Sequence, residues 1–140
     1  MINKYDTTML ATAKLFGELS YCVKAKVGTV IARDGRILAT GYNGTVAGHD
    51  NCCEIEIDGV LKTSPFTIHA EQNVISYCAK NGISTDGATM YITLSPCQLC
   101  AKLIVQAGIK RVVFLDLYKD TSGLKFLEDC NIKILKWRTR

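Results

Sequence analysis

Two short segments of the chain bring together side chains that bind transition metals. His69 and Glu71 begin one predicted helix, and Pro96, Cys97 and Cys100 begin another directly after a predicted strand. A helix N-terminus carries unpaired N–H groups and partial positive charge, which lower the pKa of a thiol and favour the metal-binding thiolate. His69, Cys97 and Cys100 thus supply three ligands, and three ligands with an open fourth position are typical of catalytic zinc.

The spacing around these ligands also indicates what the metal would do. A zinc ion lowers the pKa of a bound water from 15.7 to about 7 and so supplies a nucleophile at neutral pH. Glu71 follows His69 by two positions, where its carboxylate can reach that water without binding the metal. Zinc proteases need a second His four positions after the first, where this chain has Asn73. The order H-x-E followed by P-C-x-x-C is typical of zinc-dependent deaminases, with the glutamate as general acid and base.

Two other interpretations of the cysteine pair stay open at this point. Cys97 and Cys100 have the C-x-x-C spacing of a thioredoxin-like redox pair near a βαβ unit. A structural zinc would instead need a fourth protein ligand, for which Cys78 is the candidate. Neither explains why His69 and Glu71 accompany the pair, so a catalytic zinc is favoured.

The composition limits the classes of protein to which the chain can belong. With 140 residues, 48% of them hydrophobic and 21% charged, it predicts a single domain over residues 1–140 rather than a disordered chain. No apolar run approaches the ~20 residues of a membrane span, and the N-terminus lacks a signal-peptide pattern. We therefore expect a cytoplasmic protein with no membrane partner. In that reducing compartment, the seven cysteines indicate free thiols or metal ligands rather than disulfides.

Helical and strand periodicities alternate along the chain. They predict helices at 6–22, 69–80, 97–107 and 122–130, and strands at 27–32, 37–40, 88–94, 111–115 and 132–135. Asp34-Gly35 predicts a hairpin turn between the first two strands, whereas residues 45–67 show no clear period. This alternation favours an α/β fold in three layers, with a mixed sheet between helices on both faces.

Five segments of the sequence resemble a known family. They span residues 26–31, 41–44 (Gly-Tyr-Asn-Gly), 69–73, 93–102 and 106–113. Over about residues 8–136 the chain is similar to the deoxycytidylate (dCMP) deaminases of the cytidine deaminase superfamily. The resemblance implies a three-layer α/β/α cytidine-deaminase-like fold with a five-stranded mixed sheet. It also implies hydrolysis of dCMP to dUMP and ammonia, which supplies dUMP for thymidylate synthesis.

The resemblance assigns roles to individual residues. It implies zinc on His69, Cys97 and Cys100, with Glu71 moving protons from the water to the pyrimidine N3 and helping ammonia leave. The residues implied in substrate binding are Asn43 for the sugar hydroxyl, the main chain of Ala70 and Ser95 for the exocyclic amine, and Tyr118, Lys24 and Lys26 for the phosphate.

Many members of the family are hexamers with a second nucleotide site near the Gly-Tyr-Asn-Gly loop. The resemblance therefore implies a homo-oligomer, with a hexamer favoured, activation by dCTP and inhibition by dTTP. A triphosphate bound there would bring Mg²⁺ with it. Thr45-Val46 departs from the small residue followed by Pro that relatives commonly have, which leaves the regulation open.

The remaining cysteines raise the question of a second metal. Some phage members bind a structural zinc through cysteines similar to Cys22 and Cys52 and through histidines of a longer insert. Here the candidates to complete such a site are His49 and Cys53, because residues 54–68 contain no His. The alternative is that these cysteines are buried or reduced thiols. Cys78 and Cys130 are predicted to lie in the core, where a free cysteine behaves as a small hydrophobic group.

Three alternative functions remain. The same chemistry could act on dCTP as well as, or instead of, dCMP. A tRNA or single-stranded DNA deaminase would need a basic groove with aromatic residues, and the sequence offers only the C-terminal run 133–140, so no nucleic acid partner is expected. An inactive nucleotide-binding regulatory subunit is the third alternative, and the intact Glu71 argues against it.

Overall fold

A five-stranded mixed sheet lies at the centre of the fold in the computed structural model, which describes residues 2–138. The elements in chain order are α1 (Asp6–Gly17), β1 (Gly28–Arg33), β2 (Arg36–Tyr42), β3 (Gly44–Thr45), β4 (Glu54–Ile57), β5 (Val60–Thr63), β6 (Thr67–Ile68), α2 (Ala70–Lys80), β7 (Thr89–Leu94), α3 (Gln98–Gln106), β8 (Arg111–Asp116), α4 (Ser122–Asp129) and β9 (Lys133–Lys136). The central sheet has the order β2-β1-β7-β8-β9, and β3-β6 and β4-β5 form two small antiparallel pairs.

The strand directions bring several chain segments to one edge of the sheet. β1 is antiparallel to both β2 and β7, whereas β7, β8 and β9 are parallel. As a result, the beginning of β1 lies at the same edge as the ends of β2, β7 and β8. The segments that leave the sheet there are those that precede residue 28 and those that follow residues 42, 94 and 116. We call this the site edge.

Helices cover both faces of the sheet, as the sequence predicted. On one face, α1 packs through Met9, Leu10 and Ala13 against inward side chains of β1, β7 and β8. On the other face, α2, α3 and α4 share a larger core. Its members are Ile31, Ala39, Val74, Cys78, Ala88, Met90, Ile92, Ala101, Ile104, Ile109, Val112, Phe114, Leu124 and Leu127. The three-layer α/β/α arrangement is therefore confirmed.

A buried ion pair fastens the start of α1 to the sheet. The Asp6 side chain is fully buried and accepts hydrogen bonds from Arg111 at 2.6 and 2.9 Å and from the Tyr91 hydroxyl at 2.7 Å. Burial raises the pKa of Asp6, but the hydrogen bonds from Arg111, the Asn3 backbone and Tyr91 outweigh it, and the pKa lies below its usual value.

The predicted helices and strands are present, with two differences. Helix α1 ends at Gly17 instead of continuing to residue 22. Gly17 lies against the backbone of Gly28, and a Cβ atom at Gly17 would lie 2.8 Å from the Gly28 nitrogen. The second difference is in residues 45–67, which show no clear period in the sequence but contain the strands β4, β5 and β6. This segment forms the β4–β5 hairpin, which turns at Asp58 and Gly59, both with positive φ.

Two expectations about cysteines are also wrong. A disulfide joins Cys22 to Cys53, because the loop before β1 and the start of the β4–β5 hairpin meet with their Cα atoms 5.1 Å apart. Cys130 is exposed rather than buried, since it caps the C-terminus of α4 on the solvent side. Cys78 is buried in the core, as predicted.

The C-terminal basic run 133–140 lies only partly in the central sheet. Its first part, Lys133–Lys136, forms the edge strand β9, and residues 139 and 140 lie outside the described residues. Between residues 2 and 138, we find no helix with the length and apolar character needed to cross a membrane.

Candidate active site

Two helix N-termini meet at the site edge and hold three metal-binding side chains. His69 is the N-cap residue of α2 and Cys97 is the N-cap residue of α3, and both have extended backbone conformations. Cys100 lies one turn into α3 and points the same way. The His69 Nδ1 atom lies 3.6 Å from the Cys97 Sγ atom and 3.3 Å from the Cys100 Sγ atom. Within residues 2–138, these three side chains form the cluster able to hold a metal ion.

The cluster fits a tetrahedral zinc ion. Typical Zn–S and Zn–N bonds in a tetrahedron would separate sulfur and nitrogen ligands by about 3.6 Å. The observed separations of 3.6 and 3.3 Å are close to that value, and all the ligand atoms lie within 4.8 Å of one another. Two thiol sulfurs and one imidazole nitrogen form a donor set that zinc prefers. The chain supplies three ligands, which leaves the fourth position for water or substrate.

The electrostatics of the cluster favour a bound cation. Hydrogen bonds from Cys100 and His69 lower the pKa of Cys97 to about 4, so Cys97 is a thiolate. The hydrogen bond to Cys97 in turn raises the pKa values of Cys100 and His69. Cys100 therefore keeps its proton in the absence of a metal, and this proton would be released when a metal binds.

The Glu71 carboxyl group lies beside this cluster, where it interacts with the Cys100 side chain. Its side chain is buried, 4% exposed, in the first turn of α2. Burial raises the pKa of Glu71 to about 7, and the nearby positive charge on His69 opposes this effect. A carboxyl group with a pKa near neutrality can both accept and donate a proton, which is what a general acid and base requires.

A cleft of about 230 Å³ opens over the cluster. The residues predicted from the sequence that line it are Lys24, Asn43, His69, Ala70, Glu71, Ser95, Cys97 and Tyr118. Cys100 lies behind this surface, fully buried, and Lys26 is exposed outside the lining. The structure therefore brings most of the predicted substrate-binding residues together around Glu71.

Asn43 holds the segment before β1 in place. Its Oδ1 atom accepts a hydrogen bond from the Val27 N–H at 2.9 Å, and its Nδ2 group donates to the Ala25 carbonyl at 2.8 Å. The Ser20 hydroxyl donates to the Asn43 carbonyl at 2.8 Å. The amide thus positions the loop that carries Lys24, a role that sequence reasoning missed because the partners are distant in the chain.

Ser95 has a similar positioning role on the opposite side of the cleft. Its hydroxyl accepts a hydrogen bond from the Tyr118 N–H at 2.7 Å, and its N–H donates to the Asp116 carbonyl at 2.9 Å. The residue therefore links the loop after β7 to the loop after β8. Only its main chain was predicted to matter, and no sequence signal indicates the side-chain contact.

The four candidates for a second zinc are not arranged as a single ligand set. Cys22 and Cys53 form the disulfide, and the Cys52 thiol donates to the Glu54 carbonyl at 3.0 Å. The His49 ring instead stacks on Phe66, with centroids 3.9 Å apart.

The cleft also has lining residues that sequence reasoning missed. Glu54 and Thr63 reach it from the two strands of the β4–β5 hairpin, and Thr67 reaches it from β6. A signal for this hairpin was present, because Ile55 and Ile57 alternate with acidic residues before Asp58-Gly59. The alternation does not mark a buried face, because both faces of the hairpin are mostly exposed.

The fold and the site together define a class of protein. An α/β/α sandwich with a His-Cys-Cys cluster at two helix N-termini, and a buried glutamate beside it, is the arrangement of zinc-dependent nucleobase deaminases. A sequence profile described as "Cytidine and deoxycytidylate deaminase zinc-binding region" matches residues 3–116. The chain belongs to this cytidine and deoxycytidylate deaminase family.

Within this family, the chain is similar to several deoxycytidylate deaminases. The chain is 38% identical to the deoxycytidylate deaminase of Enterobacteria phage T4, over 80% of this chain and 78% of the relative. It is 36% identical to the deoxycytidylate deaminase of Mycobacterium phage D29, over 79% of this chain and 93% of the relative. A crystal structure of the dCMP deaminase from cyanophage S-TIM5, in complex with dCMP and dUMP, aligns with a TM-score of 0.91 at 41% identity, covering 98% of this chain and 99% of that one.

Proposed function

We propose that the chain hydrolyses dCMP to dUMP and ammonia with a zinc ion on His69, Cys97 and Cys100. The observation that carries this proposal is the position of Glu71, buried beside the three-ligand cluster at the base of a nucleotide-sized cleft. The similarity to dCMP deaminases of phages T4 and S-TIM5 supports dCMP as the substrate. A zinc ion bound there would supply a water nucleophile at neutral pH.

Glu71 moves the protons of the reaction. Its carboxylate accepts a proton from the attacking water and donates it to N3 of the cytosine ring; it then takes the second proton from the hydroxyl group added to the ring carbon and delivers it to the departing amine. Burial favours the protonated form of the Glu71 carboxyl and raises its pKa, which helps the group to hold the proton that it passes to the substrate. Burial excludes bulk water from the carboxylate, so the proton passes to the substrate rather than to solvent.

Main-chain groups at the base of the cleft orient the exocyclic amine. Ala70 and Ser95 are both buried and both line the cleft. Because the Ser95 N–H already donates to Asp116, the Ser95 carbonyl is the group that would accept a hydrogen bond from the amine. Asn43 lines the cleft beside the Lys24 loop, where we assign it to the sugar hydroxyl.

The phosphate would lie between Lys24 and Tyr118. These two residues line the cleft from opposite loops, and Lys24 provides the positive charge. A contribution from Lys26 stays a prediction, because its side chain lies outside the lining of the cleft. An extension of the proposal to dCTP depends on whether this end of the cleft accommodates two further phosphates.

A second cavity supports the proposal that a nucleotide regulates the enzyme. It has a volume of about 220 Å³ and is lined by Tyr42, Asn43 and Gly44 of the Gly-Tyr-Asn-Gly loop, together with Tyr21 and Asn73. We assign the dCTP activator and the dTTP inhibitor, with Mg²⁺ on the triphosphate, to this cavity, and we assign a hexamer as the assembly. A second zinc stays a prediction of the family resemblance for a form of the chain in which Cys22 and Cys53 are not joined. The single domain over residues 1–140 stays a prediction from the length and composition.

A panel of deamination rates tests the function directly. The zinc-loaded chain is assayed for ammonia release from dCMP, dCDP, dCTP, deoxycytidine, a tRNA and a cytosine-containing DNA oligonucleotide, with and without dTTP. We expect dCMP to have the highest kcat/KM, and we expect dTTP to lower it. A higher kcat/KM for dCTP or for an oligonucleotide would overturn the assignment of substrate. Binding of dCTP with no ammonia from any nucleotide would indicate the regulatory subunit instead.

A further inference from the structure

The Cys22–Cys53 disulfide lies in the wall of the nucleotide cleft. Cys22 itself lines the cleft, and each of the two cysteines is 2% exposed. The bond connects two segments that are 31 residues apart in the chain, the loop before β1 and the start of the β4–β5 hairpin. Its position therefore links two separate parts of the binding surface.

Cys53 anchors the base of the hairpin. Its carbonyl accepts hydrogen bonds from the Ser64 N–H at 2.7 Å and from the Thr67 hydroxyl at 2.9 Å. Thr67 and the neighbouring Thr63 both line the cleft. A displacement of Cys53 would therefore move the end of β5 and the start of β6, which both shape this side of the cleft.

Glu54 reinforces the same junction. Its carboxylate accepts hydrogen bonds from the Val23 N–H at 3.1 Å and the Lys24 N–H at 3.2 Å. Glu54, which follows Cys53, and Lys24, two positions after Cys22, both line the cleft, so residues near each half of the disulfide form part of the binding surface. The disulfide and this carboxylate together hold the Lys24 loop against the hairpin.

Few other contacts from residues 2–138 hold the β4–β5 hairpin in place. Ile55, Ile57, Val60 and Leu61 are all exposed, so the two strands bury little apolar surface. An isolated two-stranded hairpin is marginally stable in water. The position of the hairpin over the cleft thus depends on its base, where the disulfide lies.

We propose that Cys22 and Cys53 form a reversible thiol modification site, whose disulfide form binds the nucleotide more tightly than its dithiol form. Two glutathione thiols reduce the bond: the first forms a mixed disulfide with one cysteine and releases the other as a thiol. The second attacks the glutathione sulfur of the mixed disulfide, which releases the remaining cysteine as a thiol and forms oxidised glutathione. In total, two electrons and two protons are transferred to the protein. This inference rests on the proposed function, because it places the nucleotide in this cleft.

Reciprocity between binding and redox state makes the proposal testable without turnover. If the disulfide tightens binding by a given factor, the nucleotide favours the disulfide by the same factor. The probe is dUMP, which is not consumed. The zinc-loaded chain is equilibrated over a range of glutathione ratios with and without saturating dUMP, and alkylation followed by mass spectrometry gives the oxidised fraction. At the midpoint of this titration, half of the chains carry the Cys22–Cys53 disulfide. We expect saturating dUMP to raise the ratio of reduced to oxidised glutathione needed to reach the midpoint by about tenfold, within the usual range of coupling between sites.

Calorimetry measures the other half of this thermodynamic linkage, which is the affinity for dUMP in each redox state. We expect the Kd for dUMP to be about tenfold lower for the oxidised chain than for the reduced chain, matching the shift in midpoint. Equal Kd values in the two states, or a midpoint that dUMP does not move, would overturn the proposal while leaving the deaminase assignment intact. No binding of dUMP in either state would contradict the assignment of the cleft itself.

Variants separate this pair from the other thiols. Cys22→Ser should raise the KM for dCMP about tenfold with kcat within twofold, and its KM should no longer respond to glutathione. Cys130→Ser removes an exposed thiol after α4 and should behave as the unmodified chain. A Cys22→Ser chain with the KM of the oxidised protein would count against the proposal. If that variant does not fold, the titration of the unmodified chain decides.

Discussion

Gly123 lies directly against the backbone of Cys97. A Cβ atom at Gly123 would come within 2.8 Å of the Cys97 carbonyl carbon and oxygen and would overlap the Pro96 carbonyl oxygen. The first turn of α4 therefore supports the turn that presents Cys97 to the metal, and it can do so only where residue 123 has no side chain.

This contact predicts that Gly123→Ala weakens the metal site. The added methyl group must displace the backbone of Cys97, and overpacking of this kind costs about 1–3 kcal/mol. We expect the variant to lose zinc to a chelator at lower chelator concentration and to unfold at lower temperature. Glu128→Ala, on the exposed face of the same helix, is the control and should change neither measurement. Unchanged zinc affinity in Gly123→Ala would show that α4 does not position Cys97.

Replacing Glu71 by Gln tests the proton-transfer role. The amide keeps the size of the side chain and cannot transfer the proton, so deamination of dCMP should fall by about 10³-fold. Zinc content, measured by atomic emission, should stay near one ion per chain because Glu71 is not a ligand. Near-normal turnover with zinc in place would exclude Glu71 as the general acid and base.

The hydrogen bond between Ser95 and Tyr118 predicts a defect in binding rather than in chemistry. Ser95→Ala removes the acceptor for the Tyr118 N–H, a loss of about 1 kcal/mol, and we expect the KM for dCMP to rise about fivefold with kcat little changed. Ser95→Thr keeps the hydroxyl and should retain more of the affinity. Ser84→Ala is a matched control, because Ser84 accepts the Asp86 N–H through its hydroxyl, before β7 begins. A fall in kcat at constant KM would contradict the positioning role of Ser95.

The ion pair of Asp6 with Arg111 predicts a particular pH dependence of stability. Because the pKa of Asp6 is lower in the folded chain than its ordinary value of 3.8, its contribution is complete above the unfolded pKa and is lost as the pH falls through the folded value. Asp6→Asn should therefore lower the free energy of unfolding by about 3 kcal/mol at neutral pH. Urea unfolding at a series of pH values should show the difference between the two proteins narrowing only below about pH 4. A difference that is constant down to pH 2 would refute the assignment.

Much of the fold was predictable because its signals are local. The alternation of strands and helices follows from periodicity, and the β1–β2 turn follows from Asp34-Gly35, both of which have positive φ in the structure. The metal cluster was predictable for a related reason. His69 and Cys97 each stand at a helix start, and the topology of a partly parallel sheet brings such starts to one edge.

The features that could not be predicted depend on contacts between distant residues. No spacing rule links Cys22 to Cys53 across 31 positions, and the absence of a signal-peptide pattern argued against any disulfide. The Asn43 side-chain amide likewise forms hydrogen bonds with the backbone of Ala25 and Val27, in the segment that precedes β1. These interactions are decided by how the loops pack once the sheet has formed, which periodicity does not describe.

The chemistry is confined to one edge of the sheet, and this leaves the opposite edge available for engineering and for evolutionary change. There α2 ends and the chain turns at Gly82, around which no atom lies within 4 Å of an added Cβ position. A fluorescent protein or an affinity module inserted in this turn would extend away from the nucleotide cleft. The same separation means that a substitution in the turns of that edge leaves the side chains that line the cleft at the other edge in place.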